Sequence, residues 1–359
     1  MGYPPFGSAE SNAGGPGVAP RRTRSAGSGV SPSPPDFRPP PLGGGGATLP
    51  KKARFSMESG FHGVSFAAGT MVLVIIVAIA IFLISKAVPA LRVDKVNFLT
   101  ATEWFPNDAA PRFGIAALAF GTVLSSIIAL IVAVPISLGI ALFLSHYAPK
   151  QLATPLGFTI DLLAAVPSVV YGLWGRDVFL NPVRDFSVWL NHYFHWIPLF
   201  GGDGPFGRSI LLGSLVLAIM VLPIITSLSR EVFQQTPGMN EEAALALGAT
   251  KWEMIRTAVI PYGRPGVIAA VMLGLGRALG ETIALAMTLG IVFNISFNLI
   301  QNGGNSIAAN IANTFGEANA TGRGALIASG LLLFAITLVV NMAARAIIYR
   351  RREFRDSAA

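Results

Sequence analysis

Residues 66–85 read FAAGTMVLVIIVAIAIFLIS, a stretch without one charged side chain. Crossing a hydrocarbon layer about 30 Å thick takes roughly 20 such residues at a helical rise of 1.5 Å. Residues 72–79, VLVIIVAI, do not alternate apolar with polar, which a membrane barrel strand would do. In hydrocarbon the backbone N–H and C=O groups must be satisfied within the chain, so the stretch is a helix. Five further charge-poor stretches lie downstream, within 113–145, at 152–174 with Asp161, at 209–229, at 265–293 with Arg277 and Glu281, and at 325–344. The fold class follows: all-α, polytopic, with six transmembrane helices.

Composition agrees. Of 359 residues 52% are hydrophobic and 12% charged, half the charge of an ordinary soluble domain at about 25%. Mean hydropathy is +0.60. A soluble enzyme and a nucleic-acid-binding domain are both excluded, despite a net charge of +8. There is no cysteine, so no disulfide, thiolate metal site or cysteine nucleophile. Residues 1–50 hold 11 Pro and 11 Gly, too few apolar groups to offset the entropy of ordering. The division expected is a disordered cytoplasmic tail over 1–60, a membrane domain over 61–352 and a short tail over 353–359. With six spans and the termini inside, the inner segments carry 17 Lys and Arg and the outer segments 8. The positive-inside rule therefore places both termini in the cytoplasm, in contact with membrane lipid. The basic excess reports topology.

The segment between the fourth and fifth spans, about 231–261, is neither plainly apolar nor disordered. Asn240 can cap a short helix whose first turn holds Glu241 and Glu242, where the helix dipole favours negative charge. Residues 243–247 are good helix formers. Gly248 can end the helix in a left-handed conformation. Thr250 and Glu253 have capping-box spacing and begin a second helix, which Pro261 stops or kinks. Two short helices hinged at Gly248 and lying along the membrane surface are expected. Their small exposed residues suit close approach by another protein; an interfacial elbow without a partner is the competing reading.

On these residues the chain resembles the permeases of ABC importers. Glu242-Ala243-Ala244, then Gly248, then Ile260-Pro261 is similar to their EAA loop, with Ala258 where the family usually has Ile and Ile260 where it has Leu. The segments 167–175, PSVVYGLWG, and 274–282, GLGRALGET, together with 219–230 and 241–262, narrow the resemblance to the phosphate-specific PstC-type permeases. It covers roughly residues 66–352. The Leu-Trp-Gly after Tyr171 and a longer outer loop separate the chain from the sister PstA type. The resemblance implies a transport subunit in a bacterial plasma membrane, importing inorganic phosphate or a related oxyanion such as sulfate or molybdate. It implies a PstA-type permease as partner, a dimer of PstB-type ATPases and an extracytoplasmic phosphate-binding protein. It also implies that Glu242, Ala243, Ala244 and Gly248 couple to the ATPase. The chain has no Gly-x-x-x-x-Gly-Lys-Ser/Thr loop, so ATP and its Mg are expected on the partner and no cofactor on this chain.

Arg277 and Glu281 are spaced one turn apart in the fifth stretch, which would place them on one face of a helix. Charges at membrane depth face a bundle interior or a watery cavity. A guanidinium suits phosphate oxygens, and a nearby carboxylate keeps it from becoming a trap. A structural ion pair between helices is the alternative. The resemblance implies that both residues act in phosphate passage. Gly276 and Gly280 have the spacing of close helix packing, and Gly274-Leu275-Gly276 lacks the strand and spacing of a dinucleotide fingerprint.

Asp161 reads as a buried hydrogen-bonding group, with the path as the alternative. Pro135, Pro167 and Pro223 read as kinks. His192 and His195 sit among Trp189, Tyr193, Phe194 and Trp196, an interfacial aromatic segment without a third metal ligand. Asn294, Asn298, Asn302, Asn305 and Asn310 form a polar outer segment that can meet a binding protein. A membrane phosphotransferase or protease would need a catalytic cluster at depth, which the chain lacks. An ion-driven transporter would show internal repeats and no EAA-like loop. Arg277→Ala should abolish phosphate uptake in a complex that still assembles; uptake at the parent rate would refute the path assignment.

Overall fold

The computed structural model describes residues 57–356, with side chains described over 61–346. Of the tail expected to be disordered over 1–60, residues 1–56 lie outside these, as do the last three residues of the expected C-terminal tail, while 57–60 are helical. The account below concerns the compact unit His62–Ala359.

Helix α1, Met57–Val93, grows from the long apolar run. Its most apolar window has 0% of its residues buried, against 72% for the fourth span. Such an apolar surface is stable only in lipid or against a partner. A two-strand hairpin, Trp104–Phe105 with Arg112–Phe113, leads to α2, Ala116–Leu142. A π turn at Phe143–Tyr147 extends α2 without a break. Next come α3, Lys150–Ala164, and α4, Ser168–Trp174. A π turn at Gly175–Phe179 links α4 to α5, Leu180–Phe194.

Here the expected third span departs from a straight helix. The axis bends by 90° between Ala164 and Ser168. Proline disfavours helical geometry in the residue before it and has no N–H of its own, so the helix ends ahead of Pro167. The α4–α5 stretch also runs past the expected end at Trp174.

Helix α6, Ile210–Gln234, is the centre of the bundle. The Ser209 side chain accepts the Leu212 N–H at 3.3 Å and caps it. Buried Leu212, Leu217, Met220, Val221 and Ile225 fill the core on this helix. Pro223 lies within α6. Helix α7, Gly238–Ala246, and α8, Lys251–Met254, follow; a π turn at Ile255–Val259 leads to α9, Ile260–Leu279. Gly263, Gly266 and Gly274 let α9 lie close along α6. A Cβ at Gly266 would stand 2.5 Å from Val232, and one at Gly274 2.8 Å from Ile225.

The chain continues as α10, Ile283–Thr288, an irregular stretch over 289–306, α11, Ile307–Thr314, and α12, Ala320–Asp356. α12 reaches four residues into the expected C-terminal tail. Among the described residues five helices are long and apolar enough to cross a membrane, or six if the bent pair counts as one span. The six-span expectation therefore holds with the third span broken.

Two ends are well defined. At one, backbone bonds from Leu211 N to Leu299 O (2.8 Å), Asn302 N to Pro205 O (2.8 Å) and Gly303 N to Arg208 O (2.9 Å) join the segment before α6 to the stretch after α10. Nearby, Trp104 packs edge-on to Phe113 at 6.1 Å and stacks on Phe293 at 6.2 Å. The same stretch is pinned to α2, because Ile307 N donates to Thr122 Oγ1 at 2.9 Å. The other end carries the α2–α3 connection and α7.

Gly121 makes the pinning possible: a Cβ there would sit 2.0 Å from the Asn305 carbonyl oxygen. Backbone cannot give way as a flexible side chain can. Gly121→Ala should destabilise the protein by about 1–3 kcal/mol through overpacking, read as a lower melting temperature in detergent. Gly69→Ala, at a position with nothing within 4 Å, should match the parent protein.

Candidate functional site

Helix α7 begins two residues before the expected cap. Pro237 occupies the N-cap position at φ −59 and no side chain caps the helix. Proline's fixed φ starts the turn and Asn240 falls inside it. The C-terminal reading holds. Gly248 adopts φ +85, and Gly248 N to Leu245 O (2.9 Å) with Ala249 N to Ala244 O (3.2 Å) closes a Schellman motif. The capping box is also present: Glu253 N donates to Thr250 Oγ1 at 3.3 Å, and Thr250 N to Glu253 Oε2 at 2.8 Å.

No residue of α7 is buried. Met239 is 77% exposed and Leu247 90%. Glu242 and Ala243 are exposed, and Ala244 packs against the cluster of Ala141, Phe233 and Met254. Yet the helix is held firmly. Glu241 Oε1 lies 3.4 Å from His146 Nε2, and His146 Nδ1 lies 2.7 Å from Ser145 Oγ. Lys251 Nζ stands 4.9 Å over the Tyr147 ring. Two ties thus bind the α7–α8 elbow to the end of α2.

From α8 onward the helix is unbroken over Lys251–Leu279. Pro261 neither stops it nor ends its apolar face. A prolyl ring collides with the carbonyl four residues back in a regular α-helix, and the π turn at Ile255–Val259 re-registers the backbone just ahead of it. The break comes later. α9 ends at Leu279, and α10 starts at Ile283.

Glu281 lies in that break, 7% exposed, and its Oε1 accepts the Ala284 N–H at 3.1 Å. It caps α10. Arg277 remains on α9, so the two do not share a helix face, and among the described residues no ion pair joins them. Gly280, Glu281 and Thr282 in succession read as stop, acid and restart, a signal outweighed at the sequence level by the length of the apolar run. Among the described residues nothing lies within 4 Å of a Cβ at Gly276, and the glycine that packs on α6 is Gly274. Arg277 Nε is buried and has no acceptor among the described residues.

Asp161 is 46% exposed at its side chain, so it is not the buried group expected. It does hydrogen-bond: Ser227 Oγ donates to its Oδ1 at 2.5 Å, and Arg230 Nη2 lies 3.7 Å from its Oδ2. Among the described residues no group of three or more His, Cys, Asp or Glu is placed to hold a metal. The polar outer segment divides. Asn294 and Asn302 are exposed, while Asn305 (3%) and Asn310 (0%) are buried. Asn298 folds its own loop by accepting from Ile300 N and Gln301 N and donating to Gly201 O.

Two basic residues went unread in the sequence. Arg230 is anchored to Asp161. Arg208 Nη2 donates to Ala286 O of α10 at 2.9 Å, and burial, then the neighbouring Arg176, lowers its pKa from the ordinary arginine value. A lone Arg at the edge of an apolar run carries no periodic signal, which is why neither stood out.

A bundle of apolar helices long enough to cross a membrane, a helix break just after the partly buried Arg277, and an exposed helix tied down at one end suit a membrane transport component. The profile of the family described as "Binding-protein-dependent transport system inner membrane component" matches residues 122–353. The "Phosphate transport system permease protein PstC 2" of Mycobacterium tuberculosis is 47% identical over 286 residues, 78% of this chain and 88% of that protein. The protein named PstC in Mycobacterium leprae is 46% identical over 273 residues (75% and 86%), and that of Xylella fastidiosa strain Temecula1 42% over 288 (79% and 88%). Among solved structures, an inward-facing MetNI methionine ABC transporter aligns with a TM-score of 0.42 at 16% identity, covering 63% of this chain and 91% of that one. The chain belongs to the binding-protein-dependent transport inner-membrane family and, within it, to the PstC-type permeases. It is a multi-pass inner-membrane protein.

Removing the acceptor at the break should unseat α10. Glu281→Ala leaves a buried amide unsatisfied and should cost about 1–2 kcal/mol. Glu281→Gln keeps an acceptor and should lose less than half as much, both read by thermal unfolding in detergent.

Proposed function

We propose that this chain forms half of the membrane path of an ATP-driven importer of inorganic phosphate. A PstA-type permease supplies the other half, a PstB-type ATPase dimer binds ATP and Mg, and an extracytoplasmic binding protein delivers the anion. Both termini and α7 lie on the cytoplasmic side, in keeping with the distribution of Lys and Arg. Phosphate is supported by the names of relatives identical at nearly half their aligned positions.

The observation that carries the coupling role is α7 itself. A helix of nine residues with none buried has no reason to be rigid for its own sake. Here it is clamped by a Schellman cap, a capping box and the ties to His146 and Tyr147. Glu242, Ala243 and Ala244 offer a low-profile surface to the ATPase, and Gly248 sets the elbow angle. Because Lys251–Leu279 is one helix, a push on α7 is delivered directly to Arg277 and to the break after it.

At the break, Arg277 lowers the desolvation barrier for an anion entering the low-dielectric interior. Glu281, held in the α10 cap, is the nearby negative group that keeps the anion from settling too deeply. The pair acts in the path, with Arg277 on α9 and Glu281 in the break that follows it. Most selection among oxyanions falls to the binding protein, leaving the permease to provide a positive, movable passage.

The test is ATP-dependent uptake of labelled phosphate, sulfate and molybdate into vesicles holding the assembled complex. Phosphate should be accumulated and the other two should not; accumulation of sulfate or molybdate in its place would replace the substrate. Gly248→Asp introduces a side chain at positive φ on the coupling face and should lower uptake at least about tenfold, a loss of roughly 1.4 kcal/mol in coupling. Membrane insertion and ATP hydrolysis should persist, and parent-rate uptake would contradict the lever.

A further inference from the structure

Among the described residues, three arginines share an unusual state. The Nε atoms of Arg208, Arg230 and Arg277 are buried and find no acceptor in the chain. A buried, unsatisfied donor on a charged group is unfavourable and calls for a physical reason. Two of the three are anchored through a different nitrogen. Arg208 Nη2 donates to Ala286 O at 2.9 Å, and Arg230 Nη2 lies 3.7 Å from Asp161 Oδ2. A guanidinium held by one arm keeps donors on its other edge, in the fork geometry that matches two oxygens of a tetrahedral oxyanion.

Their heights in the bundle are regular. Arg208 precedes α6 and Arg230 lies near its far end, so along the helix axis they are about 33 Å apart, close to the hydrocarbon thickness. Helix α9 runs antiparallel to α6: a Cβ at Gly263 would meet Phe233, one at Gly266 Val232, and one at Gly274 Ile225 and Val221. Arg277 comes about one turn beyond Gly274, which puts it near the midpoint between the other two.

Arg208 and Arg230 are each tied to an element packed beside α6. Arg230 reaches Asp161 of α3, and its guanidinium covers Gly157 of the same helix. The Tyr171 hydroxyl of α4 donates to Leu163 O of α3 at 3.0 Å. Arg208 bonds α10, and α10 packs on Gly172 of α4 through Ala284 and Met287. At the Arg208 level Gly175 abuts Thr288 of α10, which brings Arg176 close enough to add a second positive group.

Resting on the phosphate-permease reading above, we propose that Arg208 and Arg230 are outer and inner receiving sites for the oxyanion, flanking Arg277, so that the anion crosses this chain in hand-overs of about 16 Å. Asp161 beside Arg230, and Asp177 at 3.6 Å from Arg176, moderate the two ends as a carboxylate should where release must stay fast.

The competing role is purely structural: Arg208 would cap the last carbonyls of α10 and Arg230 would tie α6 to α3. A cap needs a donor, whereas a receiving site needs a charge. Arg208→Gln and Arg230→Gln keep a donor without charge; Arg208→Lys and Arg230→Lys keep the charge. In vesicles holding the full complex, each Gln variant should lower labelled phosphate uptake at least about tenfold at subsaturating phosphate, and each Lys variant should recover a substantial part. ATP hydrolysis by the assembled complex should stay near the parent rate. Gln variants at the parent rate, or Lys variants no better than Gln, would overturn the proposal.

A second measurement separates this inference from the reading beneath it. Phenylglyoxal modification of Arg208 and Arg230 in the full complex, mapped by mass spectrometry, should be slowed by millimolar inorganic phosphate and not by chloride. Protection supports the two sites even if the parent complex accumulates no phosphate, a failure that would count against the permease reading alone. Modification that phosphate leaves unchanged would overturn the sites.

Discussion

The Glu281 carboxylate accepts the Ala284 amide at 3.1 Å, and the path half of the molecule is arranged around that contact. Backbone groups at membrane depth have no water to turn to, so a helix that stops there must find partners for its loose ends inside the protein. The chain stops α9 at Leu279, restarts as α10 at Ile283, and supplies the acceptor from the residue between. Arg208 adds a donor to a carbonyl of α10 from the other direction. A short helix held near both of its ends makes the break before it a defined joint, and Arg277, with its Nε buried, stands two residues before that break.

That joint gains a purpose from the helix leading into it. A rod over Lys251–Leu279 connects the exposed α7 elbow with the interior of the bundle, and its glycines let it lie along the buried α6 at short range. Small side chains at a helix contact allow sliding and tilting with little steric penalty. The elbow is stiff where the rod begins and the joint is short where it ends, so motion is transmitted with little lost between. The ties from α7 to the end of α2 draw a second spanning helix into the same movement.

Much of this was legible in the chain. Apolar runs of span length disclosed the helices, because a membrane imposes a length and forbids unsatisfied backbone. Gly248 and the Thr250–Glu253 spacing disclosed the elbow, because a left-handed residue and a reciprocal cap are local chemistry. What escaped were effects of breaks and of distant partners. The 90° bend ahead of Pro167 and the stop at Gly280 sit inside runs whose hydropathy never falters. Asn305 and Asn310 read as a wet surface but are buried beside α2, a tertiary fact with no periodic trace. Arg208 and Arg230 each stand at the edge of an apolar run, where a snorkelling surface charge looks the same as a buried one.

The claim on which the account turns is that the stretch from Trp252 to Gly276 moves as one body. The chain has no native cysteine, so two cysteines introduced at these positions carry the only spin labels in this subunit of the full complex. Pulsed dipolar spectroscopy should return one narrow distance of about 36 Å, the same without nucleotide and with trapped ATP, while the Trp252 label moves relative to a label on the partner permease. A separation within the rod that broadens or changes by several ångströms between the two states would contradict it.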